Sequence, residues 1–188
     1  RDVLGEQLEE LQSMSLIVQD MLFLSQADRG AKARLETVRS LADVASAVAE
    51  LHEAHMEEAG LRWRVDGDAG GAVDARLLQR ALSNLIGNAT RHAQRGSEVV
   101  VRIEGNRDGA SLSVVNQGAT IAPEHLPRLF DRFYRVDASR SGAARNHGLG
   151  LAIVAAIARM HGGRVAATSS DGTTSIGLVI PPTPDEVI

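Results

Sequence analysis

Two asparagines four residues apart, Asn84 and Asn88, share one face of the segment Leu78 to Ala93, whose apolar positions Leu78, Leu82, Leu85, Ile86 and Ala89 form a second face. Asparagine weakens a helix interior because its amide competes for backbone hydrogen bonds. A repeated pair is therefore either a plain polar surface or a pair with a task beyond packing. Downstream, Gly148-Leu149-Gly150-Leu151 opens a helical pattern that runs to about His161. Glycines at a helix start leave backbone N–H groups open to a phosphate, and the helix dipole favours negative charge there. Between these two stretches lie Asn116-Gln117-Gly118, read as a turn at a strand end, and Leu129 to Arg135, which holds Phe130, Phe133 and the only tyrosine, Tyr134.

These residues need a scaffold, and composition supplies one. With 188 residues, 44% hydrophobic and 23% charged, the chain can bury a sizeable core. A net charge of −4 gives no basic field, which argues against a nucleic-acid partner. There is no cysteine, so disulfide and thiolate chemistry are excluded, in keeping with a cytoplasmic setting. No apolar run reaches the length of a membrane span, so no membrane contact is expected of these residues. The chain starts at Arg1 without methionine, and the expectation is a piece of something longer.

Residues 1–29 read as one amphipathic helix with Leu4, Leu8, Leu11, Met14, Val18, Met21 and Leu22 at heptad-like spacing. Such a helix either packs against partner helices or folds back on its own domain. The polar joint Asp28-Arg29-Gly30-Ala31-Lys32 favours partner helices. Residues 30–188 read as one α/β unit. Ser40 caps a helix with Leu41, Val44, Val48 and Leu51 on its apolar face, ending near Gly60. On it His52 and His55 are three apart, among glutamates, and read as a solvated face rather than a metal site. Leu61–Val65 and Gly71–Val73 are strand candidates, and Asp74 caps the Asn84 helix. Glu98–Glu104 and Ser111–Val115 pair across a turn at Asn106 to Gly109. Pro123-Glu124 opens a short helix, and Val136 to His147 is a polar loop. Arg164–Ser169 and Thr174–Ile180 form a last strand pair around Asp171-Gly172.

Taken in order, Asn84-x-x-x-Asn88, Asn116-x-Gly118, Leu129 to Arg135, Gly148-Leu149-Gly150-Leu151 and Gly172-Thr173 resemble the N, G1, F, G2 and G3 boxes of sensor histidine kinases. The phrases Ala81-Leu-Ser-Asn-Leu85 and Ile121 to Asp137 are most similar to the heavy-metal (copper and silver) sensor kinases. This resemblance implies the Bergerat fold shared with gyrase, the Hsp90 chaperones and MutL, a two-layer α/β sandwich. It also implies that the first helix is the second helix of a dimerisation and phosphotransfer hairpin. The implied cofactors are ATP and Mg²⁺, and the implied partners are a response regulator and a second copy in the full-length protein. The parent would be anchored in the bacterial inner membrane, with this portion cytoplasmic.

Residue by residue, the resemblance implies that Asn88 ligates Mg²⁺ and that Arg91 replaces a lysine beside the phosphates. His92 takes the place of a tyrosine flanking adenine. Asn116 accepts from the adenine amino group, Gly118 lets the base approach the backbone, and Thr173 supports Asn116. Asn84 and Arg135 serve catalysis, Arg135 at the γ-phosphate, and Tyr134 lies in the binding surface. The amides of Gly148, Leu149 and Gly150 cradle the phosphates, and Val136 to His147 forms a lid. Three positions depart from the family pattern. Asn116 replaces an aspartate, Thr120 the second glycine of G1, and Asn146 the first of G2. An amide presents a donor end and an acceptor end, so Asn116 implies weaker discrimination of ATP from GTP unless neighbours fix its orientation. None of the six histidines lies in a phosphoacceptor context, so the acceptor is expected to precede Arg1. The alternatives within this resemblance are an ATPase or serine kinase of the same fold, or a nucleotide-binding regulator without turnover.

Overall fold

The computed structural model describes residues 2–106, 109–136 and 147–182. Its centre is a five-stranded sheet ordered β2-β4-β5-β7-β6, formed by Arg62–Asp66 (β2), Glu98–Asn106 (β4), Gly109–Gln117 (β5), Arg164–Ser170 (β6) and Thr173–Ile180 (β7). Only β2 and β4 run parallel; the remaining pairs are antiparallel. Along β5 burial alternates: Ala110, Leu112, Val114 and Asn116 face the interior, and the residues between them do not. Leu41–Glu58 (α2), Ala75–His92 (α3) and Gly150–Met160 (α4) pack against the sheet. The result is the two-layer α/β sandwich expected, with Leu78, Leu82, Leu85 and Ile86 of α3 meeting Val101, Leu112, Ile153 and Ile157 in one core.

The caps form as the side chains dictate. Ser40 accepts from Asp43 N–H at 3.0 Å, and Asp74 Oδ1 accepts from Leu77 N–H at 3.1 Å, each stabilising its helix by about 1 kcal/mol. Asp74 is fixed in turn by α4, because its N–H donates to His161 Nε2 at 3.0 Å while the ring's Nδ1–H donates to Ile157 O at 2.8 Å. That pairing selects the Nδ1–H tautomer, since Nε2 must accept. Short elements escape pattern reading. Glu36–Val38 (β1) pairs antiparallel with Gly71–Val73 (β3), and only β3 is expected from sequence. The short helix is a 3₁₀ turn at Leu126–Arg128, two residues past Glu124. Leu51, assigned to the apolar face of α2, is 82% exposed.

The first helix, Asp2–Asp28 (α1), folds back on its own domain. Leu24 is fully buried, and Ile17, Phe23 and Ala27 pack beside it on the core. Asp20 pairs with Arg80 of α3 at 2.6 Å, and the same guanidinium lies 4.2 Å above the Phe23 ring. The heptad-spaced residues Leu8, Leu11, Met14, Val18 and Leu22 are exposed. The preference for partner helices alone is therefore corrected: α1 has two apolar faces, and the one that docks here is not the heptad stripe.

Candidate functional site

Helix α3 sets out the site as a ladder. Asn84, Asn88 and His92 follow at four-residue steps on one face, spanning about 12 Å. At the first rung, Asn84 Nδ2 donates to Arg80 O at 3.0 Å, and its Oδ1 lies against the start of α4: a Cβ on Gly150 would stand 3.0 Å from it. At the last rung, Gly118 rests on the His92 carbonyl so closely that any Cβ would overlap the oxygen, and Ala93 and Gly118 form a β-bridge. Half-buried Asn88, midway between, has no side-chain hydrogen-bond partner among the described residues. Its amide oxygen is a hard donor suited to Mg²⁺, which binds through few protein ligands plus phosphates. No three His, Cys, Asp or Glu side chains converge to hold a metal among the described residues, so a cation at this groove would rely on such mixed ligation.

The phosphate end is an open helix terminus. Leu149 precedes α4 and provides no side-chain cap, which leaves the first N–H groups for an anion. Gly148 has φ +69°, and a Cβ there would approach Phe133 C to 2.8 Å. Arg135 is exposed and forms no ion pair among the described residues. Arg91, in the last turn of α3, leans over Gly87 toward His52. Desolvation lowers its guanidinium pKa from the ordinary arginine value, and it stays charged. His52 shares a hydrogen bond with Ser83 Oγ at 2.8 Å, and its pKa is lowered by burial first, then by His55 and Arg91. Tyr134 is already engaged: its hydroxyl meets His125 Nδ1 at 2.6 Å, and Arg128 lies 4.3 Å over its ring. Residues 137–146 of the expected lid, with the Asn146 departure, lie outside the described residues.

At the base end, Asn116 is buried and sits within β5 rather than in a turn. Its Nδ2 donates to Gln117 O at 3.4 Å, a long hydrogen bond, and lies on the Gly118 side. The expectation that Thr173 supports it is corrected by one residue. Thr174 lies opposite Asn116 and is buried on the same face, whereas Thr173 lies opposite Gln117 and is exposed. Sequence reading missed Thr174 because adjacent threonines leave the strand register open. It also missed the hydroxyls of Ser169 and Thr120, which bond to the loop and the turn beside Asn116. A cavity of about 370 Å³, between the Asp68–Gly71 turn and the β4–β5 hairpin, contains none of the candidate residues.

Comparison with known proteins bears on this arrangement. The family described as histidine kinase-, DNA gyrase B- and HSP90-like ATPase matches residues 73–184. The sensor histidine kinase CusS of Escherichia coli K12 is 45% identical over 181 residues, covering 96% of this chain and 38% of CusS. The chain thus spans little more than a third of that relative. Full-length ShkA in complex with AMPPNP superimposes with a TM-score of 0.77 at 25% identity, covering 98% of this chain and 40% of ShkA. The histidine kinase ThkA in complex with the response regulator protein TrrA gives a TM-score of 0.74 at 19% identity, over 98% and 52% of the two chains.

Proposed function

The chain belongs to the histidine kinase-, gyrase B- and HSP90-like ATPase family as the catalytic domain of a sensor histidine kinase, and on that premise we propose that it binds Mg-ATP along α3 and presents the γ-phosphoryl group to a histidine on another segment. The observation that carries this reading is the Asn88 amide, without a side-chain hydrogen-bond partner among the described residues and midway between an uncapped helix terminus and the strand end holding Asn116. Bound Mg-ATP supplies the transferable phosphoryl group and neutralises charge on its oxygens. Asn88 offers its oxygen to the cation. The N–H groups of Gly148, Leu149 and Gly150 face the phosphates, and Arg135 offers its exposed guanidinium to the γ-phosphate. Arg91 adds positive charge, and His92 and Gly118 border the base, which meets Asn116 Oδ1. Catalysis is then positioning and charge stabilisation. Asn84, a neutral amide, orients rather than abstracts a proton near pH 7.

The partners follow from the same reading. A response regulator receives the phosphoryl group, and a second copy packs against the exposed heptad face of α1. Among the described residues no helix is long and apolar enough to cross a membrane; in the parent, this portion would lie on the cytoplasmic side of the inner membrane. Incubation with Mg²⁺ and γ-labelled ATP tests the proposal. The expected outcome is nucleotide binding with very slow hydrolysis and no label on the chain. Stoichiometric label on any of its six histidines would overturn the separate-acceptor reading.

A further inference from the structure

The loop leaving β5 is stitched to the β6–β7 turn through side-chain hydroxyls. Gly118 N–H donates to Gly172 O at 2.8 Å, and Gly172 N–H donates back to Thr120 Oγ1 at 3.0 Å. One residue on, Ile121 N–H donates to Ser169 Oγ at 2.9 Å, and that hydroxyl lies 2.8 Å from Thr174 Oγ1, opposite Asn116 in the ladder. Asp171 and Gly172 are both left-handed, with φ +49° and +74°. The turn thereby aims the Gly172 N–H toward the loop, and Thr120 is the residue that accepts it. Gly118 is held between this turn and the His92 carbonyl. Its position sets one edge of the space beside Asn116.

We infer that Thr120 is a positioning residue for the nucleotide base: by bonding Gly172 it holds Gly118 and the end of β5 in the binding arrangement before nucleotide arrives. It touches no ligand itself. The inference rests on the reading that the base binds at Asn116. Because Thr120 is exposed, Gly172 N–H can bond water when the hydroxyl is removed, so the fold loses little. What is lost is preorganisation, which appears as affinity.

Competition titrations against a fluorescent nucleotide, on the full chain with Mg²⁺, test this with AMPPNP and inorganic tripolyphosphate as competitors. Thr120→Val is expected to weaken AMPPNP by about fivefold, the equivalent of one hydrogen bond. Tripolyphosphate affinity and the apoprotein's thermal midpoint stay unchanged, and Thr120→Ser restores AMPPNP binding. Equal AMPPNP affinity in wild type and Thr120→Val overturns the inference. So does parallel weakening of tripolyphosphate, which marks general loosening, or failure of Thr120→Ser to restore binding. If the wild type itself binds no AMPPNP, the underlying nucleotide reading fails, and with it the base site that Thr120 would position.

Discussion

The N–H of Phe133 donates to the carbonyl of Gly148 at 2.9 Å, and both residues are left-handed, with φ +63° and +69°. This pair closes the neck of the segment between them. Next to it, Arg132 reaches Asp28 at 2.6 Å and His147 meets Ser13 at 2.8 Å, so α1 touches both sides of the neck. Helix α1 is thus in physical contact with the residues on either side of the proposed phosphate site. A left-handed backbone costs a non-glycine residue roughly 1–2 kcal/mol.

The two neck residues should therefore respond in opposite directions. Gly148→Ala forces a Cβ to 2.8 Å from Phe133 C and should destabilise the fold by about 1–3 kcal/mol while weakening Mg-ATP binding. Phe133→Gly relieves strain at an exposed position and should leave stability unchanged or raise it by up to about 1 kcal/mol. Thermal unfolding of both variants checks the pair. A Phe133→Gly protein as unstable as Gly148→Ala would show that the ring, and not the backbone, holds the neck.

Asn116 bears on base selectivity. With Nδ2 turned to Gln117 O, its Oδ1 presents an acceptor, as a carboxylate would. An amide held in that orientation meets the condition under which the weak discrimination expected from sequence does not arise. ATP and GTP should then be distinguished equally well by wild type and Asn116→Asp, with a difference well below the roughly 1 kcal/mol that one hydrogen bond is worth. Competition of the two nucleotides against a fluorescent analogue measures this. Much poorer discrimination in the wild type would mean that the amide rotates.

The docking face of α1 separates two leucines. Leu24→Ala empties a fully buried site and should cost about 2–5 kcal/mol, whereas Leu11→Ala alters a 65% exposed side chain and should cost the monomer almost nothing. Denaturant unfolding at low protein concentration compares them. If a second copy packs on the heptad face, Leu11→Ala should instead reduce self-association, read by sedimentation.

His52 makes stability pH-dependent. Its folded-state pKa lies below the ordinary 6.5, owing first to burial and then to His55 and Arg91. Between those two values the unfolded chain binds more protons, so this contribution is fully present above 6.5 and is lost as pH falls toward the folded value. Unfolding free energy should decline on acidification through that range, and less so in His52→Gln. An identical slope in the variant would remove His52 as the cause.

Much of this was legible in the residues because the patterns were long or chemically marked. The apolar repeat of α3 and the caps at Ser40 and Asp74 are local signals, and the structure reproduces them. Alternation along β4 and β5 likewise identified a hairpin. The register between β5 and β7 was not local. Thr173 and Thr174 have the same chemistry, and only the ladder places the second opposite Asn116. Helix α1 posed a different problem: Leu11 and Leu24 are equally apolar, and which is buried depends on the surfaces offered by α4 and Arg80. Three residues of β1 carry too little pattern to be read without their partner.

Mg²⁺ held by Asn88 and a phosphate chain held by the uncapped start of α4 are the core of the proposed nucleotide site. Calorimetric titration with AMPPNP, with and without Mg²⁺, on wild type and Asn88→Ala tests it most directly. Saturable one-to-one binding that Mg²⁺ strengthens is the expected result. Asn88→Ala should abolish the Mg²⁺ enhancement while the unfolding free energy of the apoprotein stays within about 1 kcal/mol of wild type. Absence of binding, or an undiminished Mg²⁺ enhancement in Asn88→Ala, would contradict this assignment of the site.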